Sequence, residues 1–269
     1  MGSANLATVK IDDLDIIGYS VAGEETVVAI PQLDVCFDVG RSPQQIIPIN
    51  HVLLTHGHMD HSAGIAYYLS QRNFCGLKAG TVLAPAVLTD SIRDLVRTWE
   101  KLDGQRIPAT IVPMREGDEF EVKPGIFARA FGTRHTQGSV GYSIVEKRKK
   151  LRPELHNLSS PELVELKKEG EKIDYIVEIP IATYFGDTGY MDFWKHDYIA
   201  NSRILIIECT FLIDEHMERA QAGRHMHLSE FNGLLERMHN EHIIITHLSQ
   251  RTGPGEGKNL LRKALPADV

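Results

Sequence analysis

Thirteen residues, Val52–Gly64 (VLLTHGHMDHSAG), constrain this chain more than any other stretch. Val52-Leu53-Leu54 is an apolar run that reads as a buried strand, and it stops at Thr55. His56, His58, Asp60 and His61 then arrive within six residues. Imidazole nitrogen and carboxylate oxygen both suit divalent zinc, and a loop leaving a strand end can aim His56 and His58 one way while Asp60 and His61 turn another. The spacing therefore serves two ions. Gly57 removes side-chain bulk between the first pair, and Ser62-Ala63-Gly64 lets a helix begin in close contact with the site.

Composition sets outer bounds. With 269 residues, 42% hydrophobic and 24% charged, the chain is ordinary for a soluble globular protein, and a single domain over 1–269 is expected. No run approaches the ~18 apolar residues of a membrane span. The first residues lack a basic stretch followed by an apolar core, so a cytoplasmic protein is expected. Cys36, Cys75 and Cys209 are odd in number and widely spaced, which predicts buried free thiols. A net charge of −7 disfavours a nucleic-acid partner at face value, yet two zinc ions would bring it to −3 and concentrate positive field in one cleft. Net charge therefore does not exclude a phosphate-bearing substrate.

Along the chain, β-rich runs at Val27–Ile30 and Val35–Val39 predict a hairpin. Asp38 follows at a strand end, either capping a turn or accepting the second N–H of a ligand histidine. A helix is expected over His61–Ser70, a strand at Thr81–Ala84 and an amphipathic covering helix from Pro85 to Lys101. Strands follow at Thr110–Pro113, Glu119–Val122, Ile126–Phe131 and Val140–Val145, with His135 in a loop between the last two. From about 146 to 178 the chain turns polar, opening on five cations in the six residues Lys147–Arg152. Two readings fit: a solvated loop-and-helix excursion, or a contact for a phosphate backbone. Ile181–Phe185 returns to strand and delivers Asp187, which would cap a helix or bridge two metals. Ile204–Ile207 ends at Glu208, and Ile243–Ile245 delivers His247. Between them, Arg224-His225-Met226-His227 precedes a helix over Leu228–Met238. Ligand-type residues recur at strand ends, so two packed sheets covered by helices would gather them at one edge. His51, His156, His196, His216, His239 and His242 lack that context and receive no role.

The set THGHMDH, His135, the GDT at Gly186–Thr188 and the terminal Thr246-His247 resembles the metallo-β-lactamase superfamily. Within it the chain looks like the ribonuclease Z family (tRNase Z, tRNA 3′-processing endonucleases) in its short, plant-type form. The likeness runs from FDVGR at Phe37–Arg41 to THLSQR at Thr246–Arg251. It implies an α/β fold, the four-layer αββα sandwich (metallo-β-lactamase fold), with two Zn2+ per chain. His56, His58 and His135 would hold one ion, Asp60, His61 and His247 the other, and Asp187 would bridge. Asp60 would also act as a proton acceptor. The family's His-Glu-Ala-Thr motif is matched by Ile207-Glu208-Cys209-Thr210, which lacks the His, and its His-Ser-Thr motif by His227-Leu228-Ser229. On that alignment Glu208 orients His227, the proton donor; a two-residue shift would put His225 there instead. The terminal Ser-x-Arg-Tyr pattern stands here as Ser249-Gln250-Arg251-Thr252. The segment 146–178 has little Gly and two prolines, so a long Gly/Pro-rich arm for gripping tRNA is not expected. The implied partner is precursor tRNA, with a homodimer as an allowed assembly.

Phosphodiester hydrolysis needs a nucleophile at neutral pH, neutralisation of phosphoryl oxygens and a proton for the departing oxygen. Two zinc ions can supply the first two, and a histidine beside a carboxylate the third. The competing class is a dinuclear zinc hydrolase of a small ester, thioester, lactone or cyclic phosphodiester. It would share the metal motif but would not require Glu208, His227 or the basic block. A binding module without chemistry predicts missing ligands, and none is missing. Iron redox chemistry is disfavoured by His58, where a nitrogen-rich set suits zinc.

Overall fold

The computed structural model describes residues 6–265. Seven strands form the first sheet in chain order: β1 (Ala7–Ile11), β2 (Leu14–Val21), β3 (Glu25–Ile30), β4 (Val35–Phe37), β5 (His51–Leu53), β6 (Gly80–Pro85) and β7 (Ala109–Met114). The second sheet holds β8 (Glu119–Lys123), β9 (Ile126–Gly132), β10 (Val140–Leu151), β11 (Asp174–Tyr184), β12 (Ile204–Glu208) and β13 (His242–Thr246), again side by side in chain order. Each sheet is antiparallel in its first half and parallel in its second: β4 to β7, and β11 to β13, run parallel. Helices α1 (Met59–Ser62), α2 (Ile65–Phe74) and α3 (Thr89–Asp103) follow strands of the first sheet. Those of the second half are α4 (Ser160–Lys168), α5 (Asp197–Ala200), α6 (Met217–Gly223), α7 (Leu228–Leu235) and α8 (Pro254–Ala264).

The apolar runs of the sequence are explained by burial on both faces. In β5, Val52 packs outward with Ile65, Tyr68 and Leu69 of α2 and Ile92 and Val96 of α3, while Leu53 packs inward between the sheets. In β12, Ile204 and Ile206 face the same inner layer, and Leu205 and Ile207 face Ile199, Phe231 and Leu234 on the far side. A strand covered on both faces reads as continuously hydrophobic. Each such side chain contributes roughly 1.5–3 kcal/mol on burial. Phe37 and Tyr184 stack at 4.8 Å between centroids, joining the two sheets at their centre. The result is four layers, helices outside two sheets.

Several expectations need correction. The helix expected over His61–Ser70 is two: α1 ends at Ser62 and α2 begins at Ile65. A Cβ on Gly64 would lie 2.5 Å from the Ser42 nitrogen, so the junction lies against the 40–42 loop and the helix axis is reset there. The covering helix starts at Thr89 rather than Pro85, which ends β6. The basic block is strand, not loop. β10 continues past its last pairing with β9 (Glu146↔Ile126) and pairs only with β11, from Lys147↔Glu178 to Leu151↔Asp174. At ~3.3 Å per residue these five pairs make a two-stranded ribbon about 17 Å long, tipped by α4. Of the thiols, Cys36 and Cys209 are buried but Cys75 is exposed, because it caps the solvent end of α2.

Candidate metal centre

Strand ends bring the site together. After Leu53 the chain leaves β5, and the single turn of α1 carries Asp60 and His61 round to face the same point as His56. From the second sheet, the turn after β9 carries His135, Gly186-Asp187 follows β11 and His247 follows β13. Gly186 has φ 62, and a Cβ there would lie 2.6 Å from the Thr55 hydroxyl, so only glycine allows Asp187 to come this close to the first sheet. All seven residues that the sequence singled out as metal ligands converge. One group comprises His56, His58, His135 and Asp187, another Asp60, His61 and His247, with ligand atoms inside each group within 4.8 Å of one another. Asp187 lies between the groups. Its Oδ2 is 3.6 Å from His56 Nε2, 3.6 Å from His135 Nε2 and 3.4 Å from His61 Nε2, and its Oδ1 is 3.4 Å from His247 Nε2.

These residues fit a metal ion better than they fit one another. His56 Nε2 and Asp187 Oδ1 are buried without a hydrogen-bond partner, which native structures rarely tolerate. His135 Nε2 faces His58 Nδ1 at 3.2 Å, and His61 Nε2 faces His247 Nε2 at 3.4 Å, so nitrogens point at nitrogens. Electrostatics agree. Burial and then the neighbouring His61 push His56 well below an ordinary histidine. Burial would raise Asp187, but His61 and His247 hold its carboxyl well below the usual range. Burial would lower His61, but Asp187 and Asp38 raise it well above an ordinary histidine, which favours a proton on this imidazole. A divalent ion would displace that proton.

Behind the ligands, each sheet supplies one buried carboxylate that manages two imidazoles. Asp38 takes the role of histidine acceptor: His61 Nδ1 lies 2.8 Å from its Oδ2, and Tyr184 donates to the same oxygen at 2.9 Å. The Thr55 hydroxyl donates to Asp38 at 3.0 Å and faces His56 Nδ1 at 3.0 Å. Glu208 repeats the device. His225 Nδ1 is 2.8 Å from Oε1, and the Thr210 hydroxyl donates to Oε2 while facing His247 Nδ1 at 2.9 Å. Each hydroxyl can accept from an imidazole N–H only because its own proton goes to the carboxylate. His56, His61 and His247 are thereby assigned the Nδ1–H tautomer with Nε2 free for a metal.

One expectation is overturned here. Glu208 holds His225, not His227. His227 is 1% exposed, with Nδ1 bonded to the Ser229 hydroxyl (2.9 Å) and Nε2 to the Ile213 carbonyl (2.9 Å). Its backbone N–H donates to Glu230 at 3.1 Å, so it is taken up as the start of α7. A carboxylate three residues after His227 is the sequence signal for that use. The alignment shifted by two, with His225 facing Glu208, is the one that the geometry supports. Its ring stacks on His247 at 5.3 Å and lies 4.8 Å from His135. Burial works against its proton, yet the Glu208 bond raises its pKa above an ordinary histidine. Sequence reading also missed contacts carried by backbone: Gly23 N–H donates to Asp60 Oδ2 at 2.9 Å, and His247 N–H to the Ser20 hydroxyl at 3.0 Å. No spacing rule connects residues so far apart.

The family described as "Beta-lactamase superfamily domain" matches residues 32–248. The chain belongs to that superfamily. It is 31% identical over 247 residues to tRNase Z TRZ1 of Arabidopsis thaliana, a match covering 90% of this chain and 88% of that one. Among solved structures, the metallo-β-lactamase fold protein YhfI from Bacillus subtilis aligns with TM-score 0.62 and 14% identity, covering 91% and 90% of the two chains. Human tRNase Z, short form, aligns with TM-score 0.56 and 16% identity over 91% of each. The two sheets and their helices are thus the metallo-β-lactamase fold, and this superfamily member is a metal-dependent hydrolase. Among the described residues no helix is long and apolar enough to cross a membrane.

Proposed function

We propose that this hydrolase is a two-zinc endoribonuclease that removes the 3′ trailer from precursor tRNA in the cytoplasm. The observation that carries the reading is the Glu208–His225 pair: its atoms fall in a third candidate group with Asp187 and His247, but the Glu208 carboxylate is already taken by His225 and by the N–H groups of Thr188, Thr210 and Met226, unlike the orphaned His56 and Asp187 atoms. RNA departs as a ribose oxygen, a poor leaving group that needs a proton; a thioester departs as a thiolate, which makes no such demand. The similarity to tRNase Z TRZ1 supports the substrate class. His56, His58 and His135 would hold one zinc, Asp60, His61 and His247 the other, and Asp187 both. When bound, the ions lower the pKa of water toward about 7 and neutralise phosphoryl oxygens. His225 gives its proton to the departing oxygen, and Glu208 keeps that proton in place. Asp60 would accept the proton that the attacking water gives up. The test compares zinc-loaded protein on a precursor tRNA with a 3′ trailer, on bis-p-nitrophenyl phosphate and on a lactone. Turnover of the lactone with none of the RNA would overturn the proposal in favour of the small-molecule class.

The ribbon of β10 and β11 is the proposed RNA contact, in a form narrower than five cations suggest. Lys147 sits 2.5 Å from Glu119, Arg148 2.6 Å from Glu146 and Arg152 2.5 Å from Glu154, so these three are already paired. That leaves Lys149 and Lys150, both exposed. Replacing both with Ser should raise KM for precursor tRNA and reduce the slope of log binding against log salt by about two, near one unit per lysine, while sparing bis-p-nitrophenyl phosphate. An unchanged slope would make the ribbon a solvated surface.

A homodimer would cover the outer face of α2 and α3. There Tyr67, Trp99 and Leu102, the last 71% exposed, line a cavity of about 340 Å3. Light scattering should give twice the chain mass for the native protein and the chain mass for Trp99→Glu. A monomeric native protein would remove this assembly.

A further inference from the structure

Arg224 is an exposed arginine with no part in the ligand set, yet it is bonded twice to a ligand. Its guanidinium NH1 donates to the backbone carbonyl of His135 at 2.8 Å, and its own carbonyl lies 3.2 Å from His135 Nδ1. The second contact assigns the proton to Nδ1 and leaves Nε2 facing His58 and Asp187. The rest of that loop is tied from the opposite side: Arg134 N–H donates to the Thr188 hydroxyl at 3.1 Å, and Gly189 N–H to the Arg134 carbonyl at 2.9 Å. Without Arg224, the His135 loop would be held from one side only.

The backbone at this point is unusual. Arg224 ends α6 at φ 54, ψ 53, the left-handed cap conformation that glycine normally fills. Arg224, Asp38 and His247 are three of the six non-glycine residues at positive φ among the described residues, and the other two stand at the site. A disfavoured backbone at such a place is where a side chain has something to do. The next residue, His225, turns into the centre and bonds to Glu208.

The geometry points to Arg224 as a positioning residue that clamps His135 in its metal-binding orientation and couples that ligand to the neighbouring His225. A helix cap alone would predict that glycine improves the protein in every respect. A clamp predicts opposite signs for fold and site.

The inference uses the proposed ligand role of His135 but can be tested apart from it. In Arg224→Gly the carbonyl and the left-handed turn remain and only the guanidinium is lost. The metal-free variant should melt at the same temperature as the native protein or higher. In amide hydrogen exchange of the metal-free chain, the 133–139 loop should open about 10-fold or more faster, the effect of one lost charge-assisted bond. Zinc titration against a competing chelator should show one of the two sites weakened by about 10–100-fold and the other unchanged. Arg224→Lys, which can restore a donor to the carbonyl, should recover part of both losses. Unchanged exchange in Arg224→Gly would overturn the clamp and leave a helix cap; a lower melting temperature for its metal-free form would overturn the opposite signs for fold and site, and with them the clamp. Faster exchange in a protein that takes up no zinc even in native form would uphold the clamp and remove the ligand reading instead.

Discussion

His225→Ala should slow cleavage of precursor tRNA by about 10²–10⁴-fold, the usual cost of losing a general acid, with zinc content unchanged. The loss should shrink on bis-p-nitrophenyl phosphate, whose phenolate leaves without a proton. His227→Ala serves as the control: it removes a buried imidazole and leaves the Ile213 carbonyl unpaired, which should cost about 2 kcal/mol or more of stability, while the rate of the folded protein should stay near native. Glu208→Gln adds a sign. Because Glu208 raises the His225 pKa, its neutral replacement should move the alkaline limb of the rate profile to lower pH. If His225→Ala cleaves tRNA at the native rate and His227→Ala does not, the assignment drawn from the Glu208 contact is wrong.

Asp187→Ala should lose at least one zinc per chain by elemental analysis. Among the described residues its carboxylate is the one group whose two oxygens approach histidines of both halves, His56 and His135 through Oδ2 and His247 through Oδ1. Without it, two dications would face each other across a gap lined by imidazoles, with no anion between them. One should leave. Retention of two ions by the variant would mean that Asp187 is not shared, and a single ion in the native protein would remove the two-zinc mechanism altogether.

What could be read in advance was what is local. His56 to His61 are legible because a strand end, a glycine and one helical turn fix their directions within a few residues. Asp187, Glu208 and His247 were legible because each ends a hydrophobic run, and such runs become parallel buried strands whose ends share an edge. Choosing between His225 and His227 was a different problem. Both are histidines near a helix start, and only the distance to Glu208, 17 residues earlier for His225, separates them. Thr55, Thr210 and Arg224 matter through single hydrogen bonds, which leave no periodicity. The ribbon escaped notice because lysine-rich strands lack a hydrophobic alternation; cross-strand pairing, not propensity, makes residues 147–151 extended. The edge hairpin of β1 and β2 was missed for a related reason, since four of the five residues of β1 are exposed.

The proposed ligands divide between the sheets: His56, His58, Asp60 and His61 stand on the first, His135, Asp187 and His247 on the second. An ion held by both is a rivet through the sandwich, and its binding energy is also adhesion between the layers. Affinity and cohesion must then be reciprocal, each changing the other by the same factor. Loading should raise the melting temperature with the logarithm of free zinc. Conversely, whatever loosens the Phe37–Tyr184 stack should be felt as weaker uptake at the rim, even though neither residue belongs to a candidate ligand group. In a protein built this way, the hydrophobic interior sets the tension under which the metal is gripped.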